Sequence, residues 1–332
     1  MLFSSAFKFA HEAYVLTPEQ VSIDKDVFGP NIFESLSDAS NLYLFIFITL
    51  AAPVLLGLVF FLRSTSFFQR LGRWLDKSTY FVPDIIRVAF GASLILSAAN
   101  NAVFGPELPL SDFPAPGLLE LTMYIAGISL LFGAFIRFFG WLMIIFWCVI
   151  FTAEGWYVLT YINYLGEAIA VVLLSNQVFS VDRLRTKWQN KKPLRSLYEQ
   201  YSMPISRILF GFSLLYAAVT IKFFNPAVAL DVVYRYNLTD YFPFDPMFIV
   251  LGAALTELGL AVLFMLGFLR RFISVIFLTF LSLSVAYFGE DIWPHLLLIA
   301  FGVGIFLHKP DIWSLDSRLD FKKLTEKLSS SK

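Results

Sequence analysis

The chain has 332 residues, of which 58% are hydrophobic and 18% aromatic, while 15% are charged. This balance is far from that of a soluble domain and is typical of an integral membrane protein. Because 25 Lys and Arg residues balance 25 Asp and Glu residues, no basic surface predicts nucleic-acid binding. The single cysteine, Cys148, excludes an intramolecular disulfide and a Cys-x-x-Cys thiol relay.

Residues 1–41 are mixed and polar, and they predict an exterior N-terminal tail. The brief apolar run within residues 1–10 leaves open a remnant of a secretory signal, but it is shorter than the usual apolar region. We therefore favour an ordered surface segment there. The first strongly apolar stretch follows at 42–63 and predicts a leading transmembrane helix.

Eight further stretches approach the roughly 20 apolar residues that cross a bilayer. They lie at 84–104, 119–136, 138–153, 157–175, 205–224, 246–268, 271–288 and 292–307. Together with the leading helix, they predict an all-α integral membrane fold with about nine transmembrane helices.

Two stretches that begin 120 residues apart are near copies: Arg87-Val-Ala-Phe-Gly-Ala-Ser-Leu and Arg207-Ile-Leu-Phe-Gly-Phe-Ser-Leu. Each opens four predicted helices, so the sequence predicts one leading helix followed by two tandem four-helix bundles. The predicted segments are a first bundle at 84–180, a linker at 181–204, a second bundle at 205–308 and a C-terminal tail at 309–332. In the tail, charges alternate with Leu and Phe as in a short amphipathic helix.

Arg and Lys residues concentrate in alternate connections between the predicted spans. They lie at 63–77, 137, 183–195, 270–271 and after 308. The positive-inside rule then predicts a multi-pass protein of the cell membrane, with an exterior N-terminus, a cytoplasmic linker and a cytoplasmic C-terminus. Lys222 and Arg235 are exceptions on the outer side.

Ionisable residues inside predicted spans are the sharpest functional signal, because burying one at the bilayer centre costs at least about 2.5 to 3.5 kcal/mol. Glu257 lies mid-span in the second bundle and is expected to face the bundle interior. Glu167 lies at a similar depth in the last helix of the first bundle. Pairing the final helices of the two bundles puts His295 opposite Glu167 or its neighbour Gly166.

Four charged or titratable residues are expected near the outer mouth of the second bundle: Lys222, Glu290, Asp291 and His295. A histidine among carboxylates is able to relay protons near neutral pH. The alternative is ordinary interfacial charge, with the lysine ammonium reaching outward to water. At the other side, Arg207 and Arg271 are expected to pack structurally or to hold an anionic ligand.

These positions resemble the DoxX/DoxD family of four-helix membrane proteins. The resemblance is carried by Arg207 with Gly211, Lys222 at the end of that helix, Glu257, Arg271 and His295. It covers 205–308, and 87–180 in degenerate form, since the first copy has Met123 where Glu257 aligns and lacks the lysine.

The resemblance implies a membrane subunit of a quinone-linked oxidoreductase, of the thiosulfate:quinone type or related. Glu257 would accept protons and His295 would relay them. Arg271 or Lys222 would stabilise anionic species. A quinone is then the expected cofactor, and a soluble or membrane partner subunit would handle the electron donor.

Two other classes of function stay open from sequence. A non-catalytic membrane assembly factor or scaffold would use its polar interior groups to hold the bundles together, and some relatives of the family act as membrane assembly factors. A small-molecule transporter is disfavoured, because the two copies share one orientation and broken mid-membrane helices are not evident. The sequence shows no metal-ligand cluster, haem-ligand pair or nucleotide loop.

Overall fold

A computed structural model describes residues 31–174, 179–189 and 198–319. Every regular element in these ranges is a helix, and one isolated β-bridge joins Ala102 and Pro109. The prediction of an all-helical fold is therefore confirmed. The predictions for residues 1–10, for the middle of the linker and for most of the C-terminal tail lie outside the described residues.

The first described elements are a 3-10 turn at Ile32–Ser37 and a long helix, α1, at Ala39–Leu62. Asp38 caps α1, because its carboxylate accepts from the backbone N–H of Ser40 at 2.8 Å. The helix is apolar all round and leaves most of its side chains exposed, as expected of a span whose solvent is lipid. A shorter helix, α2, follows at Ser66–Asp76.

Four helices and a short fifth form what we call the first group. They are α3 at Val82–Ala99, α4 at Pro116–Phe132, α5 at Ile136–Glu154, α6 at Ile162–Leu173 and α7 at Val181–Trp188. The turn from α4 to α5 is made by Gly133, whose φ of +70° is left-handed and favours glycine. Gly155, which also has a positive φ of +70°, separates α5 from the rest of the 3-10 run that leads into α6.

Six further helices form what we call the second group. They are α8 at Ser202–Ala218, α9 at Pro226–Arg235, α10 at Pro246–Leu266, α11 at Arg270–Phe288, α12 at Leu296–Leu307 and the short α13 at Leu315–Arg318. Gly267 makes the turn from α10 to α11 and Gly289 ends α11, both with left-handed φ angles.

The two groups pack through reciprocal pairs of helices, α6 against α8 and α12 against α3. Ser206 Oγ donates to the carbonyl of Gly166 at 3.1 Å in the first of these contacts. In the second, an added Cβ at Gly304 would meet the side chain of Ile86 at 3.0 Å. The apolar cores interlock accordingly, since Val82 and Ile86 of α3 belong to the core of the second group.

Six helical runs in the described residues are long and apolar enough to cross a membrane. They are Ala39–Leu62, Ser66–Ala99, Ile136–Leu173, Glu199–Phe223, Pro246–Leu266 and Arg270–Phe288, with shorter apolar runs at Pro116–Phe132 and Trp293–Leu307. A multi-pass membrane protein fits this pattern. The count of nine crossings and the tandem arrangement stay predictions.

Candidate functional site

An ion pair between Lys222 and Glu257 lies within the helices of the second group. Lys222 Nζ is 2.8 Å from Glu257 Oε2, and the side chains are 11% and 17% exposed. Glu257 lies near the middle of α10, the helix that Asp245 caps by accepting from the Phe248 N–H. An acid and a base are thus in direct contact among apolar side chains, where such charges are costly unless paired.

Lys222 owes its position to a π-helical turn, Val219–Phe223, that continues α8. The backbone N–H of Phe224 bonds to the carbonyl of Val219, five residues back, at 3.2 Å. Asn225 Nδ2 donates to the Thr220 carbonyl at 2.7 Å and so satisfies an acceptor that the widened turn frees. Single π turns of this kind are frequent at functional sites, because they shift the register of the residues they contain.

A second acid–base pair joins Glu290 and His295. His295 Nε2 is 2.6 Å from Glu290 Oε2, and both side chains are almost fully buried. Ser284 Oγ donates to the other carboxylate oxygen at 3.0 Å. Glu290 directly follows the left-handed Gly289, and His295 ends the 3-10 turn before α12. The short loop between α11 and α12 therefore brings the two residues together.

The left-handed glycines provide a common reference for comparing the groups. Glu257 lies ten residues before Gly267, and the buried Met123 lies ten residues before Gly133. The sequence alignment of Met123 with Glu257 agrees with this register, and the first group has a thioether where the second has a carboxylate.

The predicted pairing of His295 with Glu167 is wrong by six residues. His295 lies six residues after Gly289, and Tyr161 lies six residues after Gly155. Both residues also end a 3-10 run just before the last helix of their group. Tyr161 is therefore the counterpart of His295. Glu167 lies deeper in α6, is 1% exposed, and its Oε2 has no hydrogen-bond partner among the described residues.

Arg207 does not join the acid–base pairs. Its Nε and Nη2 donate to the two carboxylate oxygens of Asp311 at 2.8 and 3.1 Å, and its Nη1 donates to the carbonyls of Phe264 and Met265. These carbonyls end α10, so the guanidinium joins α8, α10 and the segment after α12. We therefore assign Arg207 a structural role, in place of the predicted contact with a ligand.

The first group repeats this arrangement around Arg87. Its Nη1 donates to the carbonyls of Leu130 and Leu131 at the end of α4, and its Nη2 is 3.0 Å from Asp84 Oδ1. Both guanidiniums are fully buried. We call each set, Arg87 or Arg207 with its carbonyls and carboxylate, an arginine clamp.

A following segment closes each turn with an aspartate. The Asp182 carboxylate accepts from the backbone N–H groups of Phe135 and Ile136 at 3.0 and 2.9 Å. Asp316 accepts likewise from Leu269 and Arg270 at 3.0 and 3.1 Å. Phe135 and Leu269 both have positive φ, a strained conformation for these residues that the bonds help to hold.

Arg271 and Asp291, like Arg207, do not belong to either of the acid–base pairs. Arg271 Nη2 is 2.7 Å from Asp76 Oδ1, and its Nε donates to the carbonyl of Phe306 at 3.0 Å. Arg271 is the second residue of α11, whose 19 residues extend about 28 Å, and Glu290 lies just beyond the other end of this helix. Asp291 is exposed. Of the seven predicted site residues, four therefore pair with one another: Lys222, Glu257, Glu290 and His295.

Comparison of the chain with family models, with curated proteins and with solved structures finds no match. The resemblance to the DoxX/DoxD family therefore stays a prediction. Within the described ranges, no group of three His, Cys, Asp or Glu side chains is placed to hold a metal ion.

Sequence reasoning missed a polar network at the end of the first group opposite its clamp. Residues 100–115, which we call the plug segment, fold over this end and bury Phe104 completely. Tyr164 bonds to Ser93 Oγ at 2.6 Å and donates to the Phe104 carbonyl at 3.2 Å, while Tyr157 donates to Glu107 Oε1 at 3.1 Å. The tyrosines at 157, 161 and 164 recur at helical spacing, and that spacing was the available signal.

Proposed function

We propose that the chain is a membrane subunit of a quinone-linked oxidoreductase, of the thiosulfate:quinone type or related. The observation that carries this proposal is the presence of two acid–base pairs among apolar helices: Lys222 with Glu257, which are mostly buried, and His295 with Glu290, which are almost fully buried. Buried ionisable groups in membrane helices usually mark a proton or substrate pathway.

The residues fit a quinone by their donor chemistry. A quinone ring presents two carbonyl oxygens, which accept hydrogen bonds, and its reduction takes up two electrons and two protons. Lys222 and His295 carry N–H donors of the required kind. Ile221, next to Lys222, and Leu297, two residues after His295, belong to one apolar core and suit an apolar ring.

In this proposal each carboxylate assists the basic residue that it contacts. Glu257 accepts a proton and returns it to Lys222, and Glu290 orients the His295 ring through Nε2 while Ser284 holds the other carboxylate oxygen. A partner subunit delivers the electrons. Lys222 also offers a positive charge near any oxyanion that forms.

The test is quinone reduction by the protein in its native membrane complex, comparing Glu257→Gln and His295→Gln with Glu167→Gln, which changes a buried carboxylate of the first group outside both pairs. We expect the first two to lower proton-coupled quinone reduction at least about a hundredfold, the usual range for losing a general acid or base. Glu167→Gln should leave the rate unchanged. Full activity in all three variants would refute the proposal.

A non-catalytic scaffold or assembly factor is the second candidate. In each pair the acid and the base already bind each other, and these contacts join neighbouring elements of the fold. Under this function the double variant Lys222→Met with Glu257→Met should keep its partner chains and their activity. Mass spectrometry of the protein purified in mild detergent reports retained partners and quinone together. Retained partners without quinone would favour the scaffold.

We further propose nine crossings, arranged as one leading helix and two tandem groups, with the N-terminus outside. The matched clamps at Arg87 and Arg207 support the tandem arrangement, and the break at Gly155 supports counting Ile136–Leu173 as two crossings. The orientation follows from the positive-inside rule. After replacement of Cys148 by Ser, single cysteines near 70 and 240 should react with impermeant reagents from opposite sides of the membrane.

A further inference from the structure

The short helix α2 has an apolar face that the rest of the protein leaves exposed, apart from the buried Leu75 near one edge of it. Phe67 and Trp74 are 68% and 64% exposed, and Phe68 and Leu71 are exposed beside them. These four positions fall within about 120° of the helix circumference at 100° per residue. The apolar face is thus continuous along all three turns of α2.

A basic strip runs beside this face. Arg70, Arg73 and Lys77, spaced three and four residues apart, lie on one side of the helix and are exposed. Asp76 is the one acidic residue of α2, and it is held on the remaining side by Arg271 at 2.7 Å. The strip therefore keeps three positive charges that the neighbouring carboxylate does not neutralise.

The neighbours of α2 show that it lies across one end of the molecule. Just before it, Arg63 pairs with Asp316, and just after it, Thr79 Oγ1 accepts from the Lys309 N–H at 2.9 Å. Both partners follow α12, and Arg271 lies in the first turn of α11 at the same end. The residues before and after α2 are both held at the same end of the molecule, and α2 has only 11 residues. It therefore does not cross the bilayer.

We propose that α2 is an interfacial helix that binds the headgroups of anionic phospholipids. Phe67, Leu71 and Trp74 enter the boundary between headgroups and acyl chains, while Arg70, Arg73 and Lys77 contact the lipid phosphates. Amphipathic helices with a basic flank and a Trp-containing apolar face bind anionic membranes in this way. The anchored face, with Asp76 on Arg271, fixes how deep the helix lies. The inference is independent of the proposed redox function.

The lipid preference is tested on the full-length protein with native mass spectrometry, after exchange into micelles that contain phosphatidylglycerol and phosphatidylcholine. The test variant replaces Arg70, Arg73 and Lys77 by Gln. Each basic residue near an anionic surface contributes roughly a fivefold preference, so three should together give on the order of a hundredfold. We expect the variant to lose most of its preference for retained phosphatidylglycerol.

The matched control replaces the exposed residues Arg137, Lys309 and Arg318 by Gln, which removes the same charge from scattered positions. We expect the control to retain phosphatidylglycerol like the unmodified protein. Equal retention by the test variant and the control would overturn the proposal, because net charge and not the strip on α2 would then set the preference.

A second measurement leaves the charges in place and stays informative if the triple variant does not fold. Nitroxide labels are placed on single cysteines at 71 or 69 in a Cys148→Ser background, in vesicles of phosphatidylcholine and phosphatidylglycerol. We expect the label at 71 to collide with oxygen dissolved in lipid and the label at 69 to collide with a water-soluble nickel chelate. A label at 71 that is as accessible to the chelate as the label at 69 would refute insertion of α2.

Discussion

The first and second groups share their architecture at the clamped end and differ at the opposite end. Arg87 and Arg207 bind the last carbonyls of α4 and α10 in the same way. At the other end, the first group has the plug segment held by tyrosine hydroxyls, whereas the second has a π turn and two acid–base pairs. The arginine clamps therefore belong to what the helix arrangement requires. The opposite ends, where the side chains differ, are where the two groups can differ in function.

The largest expected effect comes from removing an arginine clamp. Arg207→Met leaves the Asp311 carboxylate buried without its partner, and we expect the free energy of unfolding to fall by about 3 to 5 kcal/mol. Arg207→Lys should recover little of this loss, since an ammonium does not replace the two-pronged contact. Unfolding in mild detergent, followed by circular dichroism, measures both variants.

Arg87→Met is the matched variant in the first group, and we expect a loss of similar size. Unequal losses would show that the clamps, although alike in geometry, differ in importance. Wild-type stability for both variants would contradict a structural role for the clamps.

The next largest effect is expected in the second group alone, because the first group has no ion pair at the corresponding position. Lys222→Met leaves Glu257 without the ammonium, and we expect a loss of about 2 to 3 kcal/mol, which is smaller because both side chains are partly exposed. The double variant with Glu257→Met should recover most of the stability. Met123→Leu, at the first-group position that corresponds to Glu257, should cost about 1 kcal/mol or less.

A double variant no more stable than Lys222→Met would show that the pair is not the source of the loss. Thermal unfolding of all four proteins in one detergent decides the question.

Smaller effects are expected at the helix contacts beside the clamps. A Cβ added at Gly91 would lie 2.6 Å from the Gly127 carbonyl oxygen and 2.8 Å from the Leu131 nitrogen. Because backbone atoms do not move aside easily, Gly91→Ala should cost about 2 to 3 kcal/mol. At Gly211 an added Cβ would lie 2.6 Å from the Met265 side chain, 2.8 Å from the Ala261 carbonyl oxygen and 3.1 Å from the Met265 nitrogen, so Gly211→Ala should cost a similar amount.

Gly252→Ala is the control, since nothing lies within 4 Å of its added Cβ. It should be neutral or stabilise α10 by about 0.5 to 1 kcal/mol. Thermal unfolding measures the three variants, and a loss at Gly252 as large as the losses at Gly91 and Gly211 would contradict the importance of these close contacts.

The smallest effect near neutral pH is the titration of His308, which grows as the pH falls. Burial, followed by the nearby Arg270 charge, lowers the pKa of His308 from 6.5 to about 4. Unfolded protein then binds a proton at His308 between these values while folded protein does not, so stability should fall as pH drops from about 6.5 to about 4. The residue at the matching place after α6 is Leu174, which does not titrate.

His308→Gln should remove this part of the pH dependence of unfolding, measured in one detergent at several pH values. An unchanged pH profile would show that other groups are responsible.

Much of the helical fold was predictable, because apolar runs set most helix positions to within a few residues. The turn before Arg137 also follows from sequence, since Gly133 marks the end of α4. The aspartates at 182 and 316 were missed, because the charged segments around them read as topology signals. The spacing Ser180-x-Asp182 and Ser314-x-Asp316 repeats in the sequence and would have identified them.

The site was predictable in part. A carboxylate inside a span demands a partner, but which of several charges supplies it depends on a π turn that no sequence period indicates. Lys222 therefore meets Glu257, within the helices, while Glu290 meets His295. The register error at His295 arose because depth in the membrane was judged without the glycine reference at 155 and 289.

The closing aspartates also set an order of assembly. A ribosome delivers the chain from its N-terminus, and the first group has all parts of its clamp and turn once Asp182 has been made. The second group must wait for Asp311 and Asp316, which follow its last helix. A chain interrupted between 200 and 310 would therefore hold one finished bundle beside one whose central arginine still lacks its carboxylate, a state that quality-control proteases are well placed to recognise.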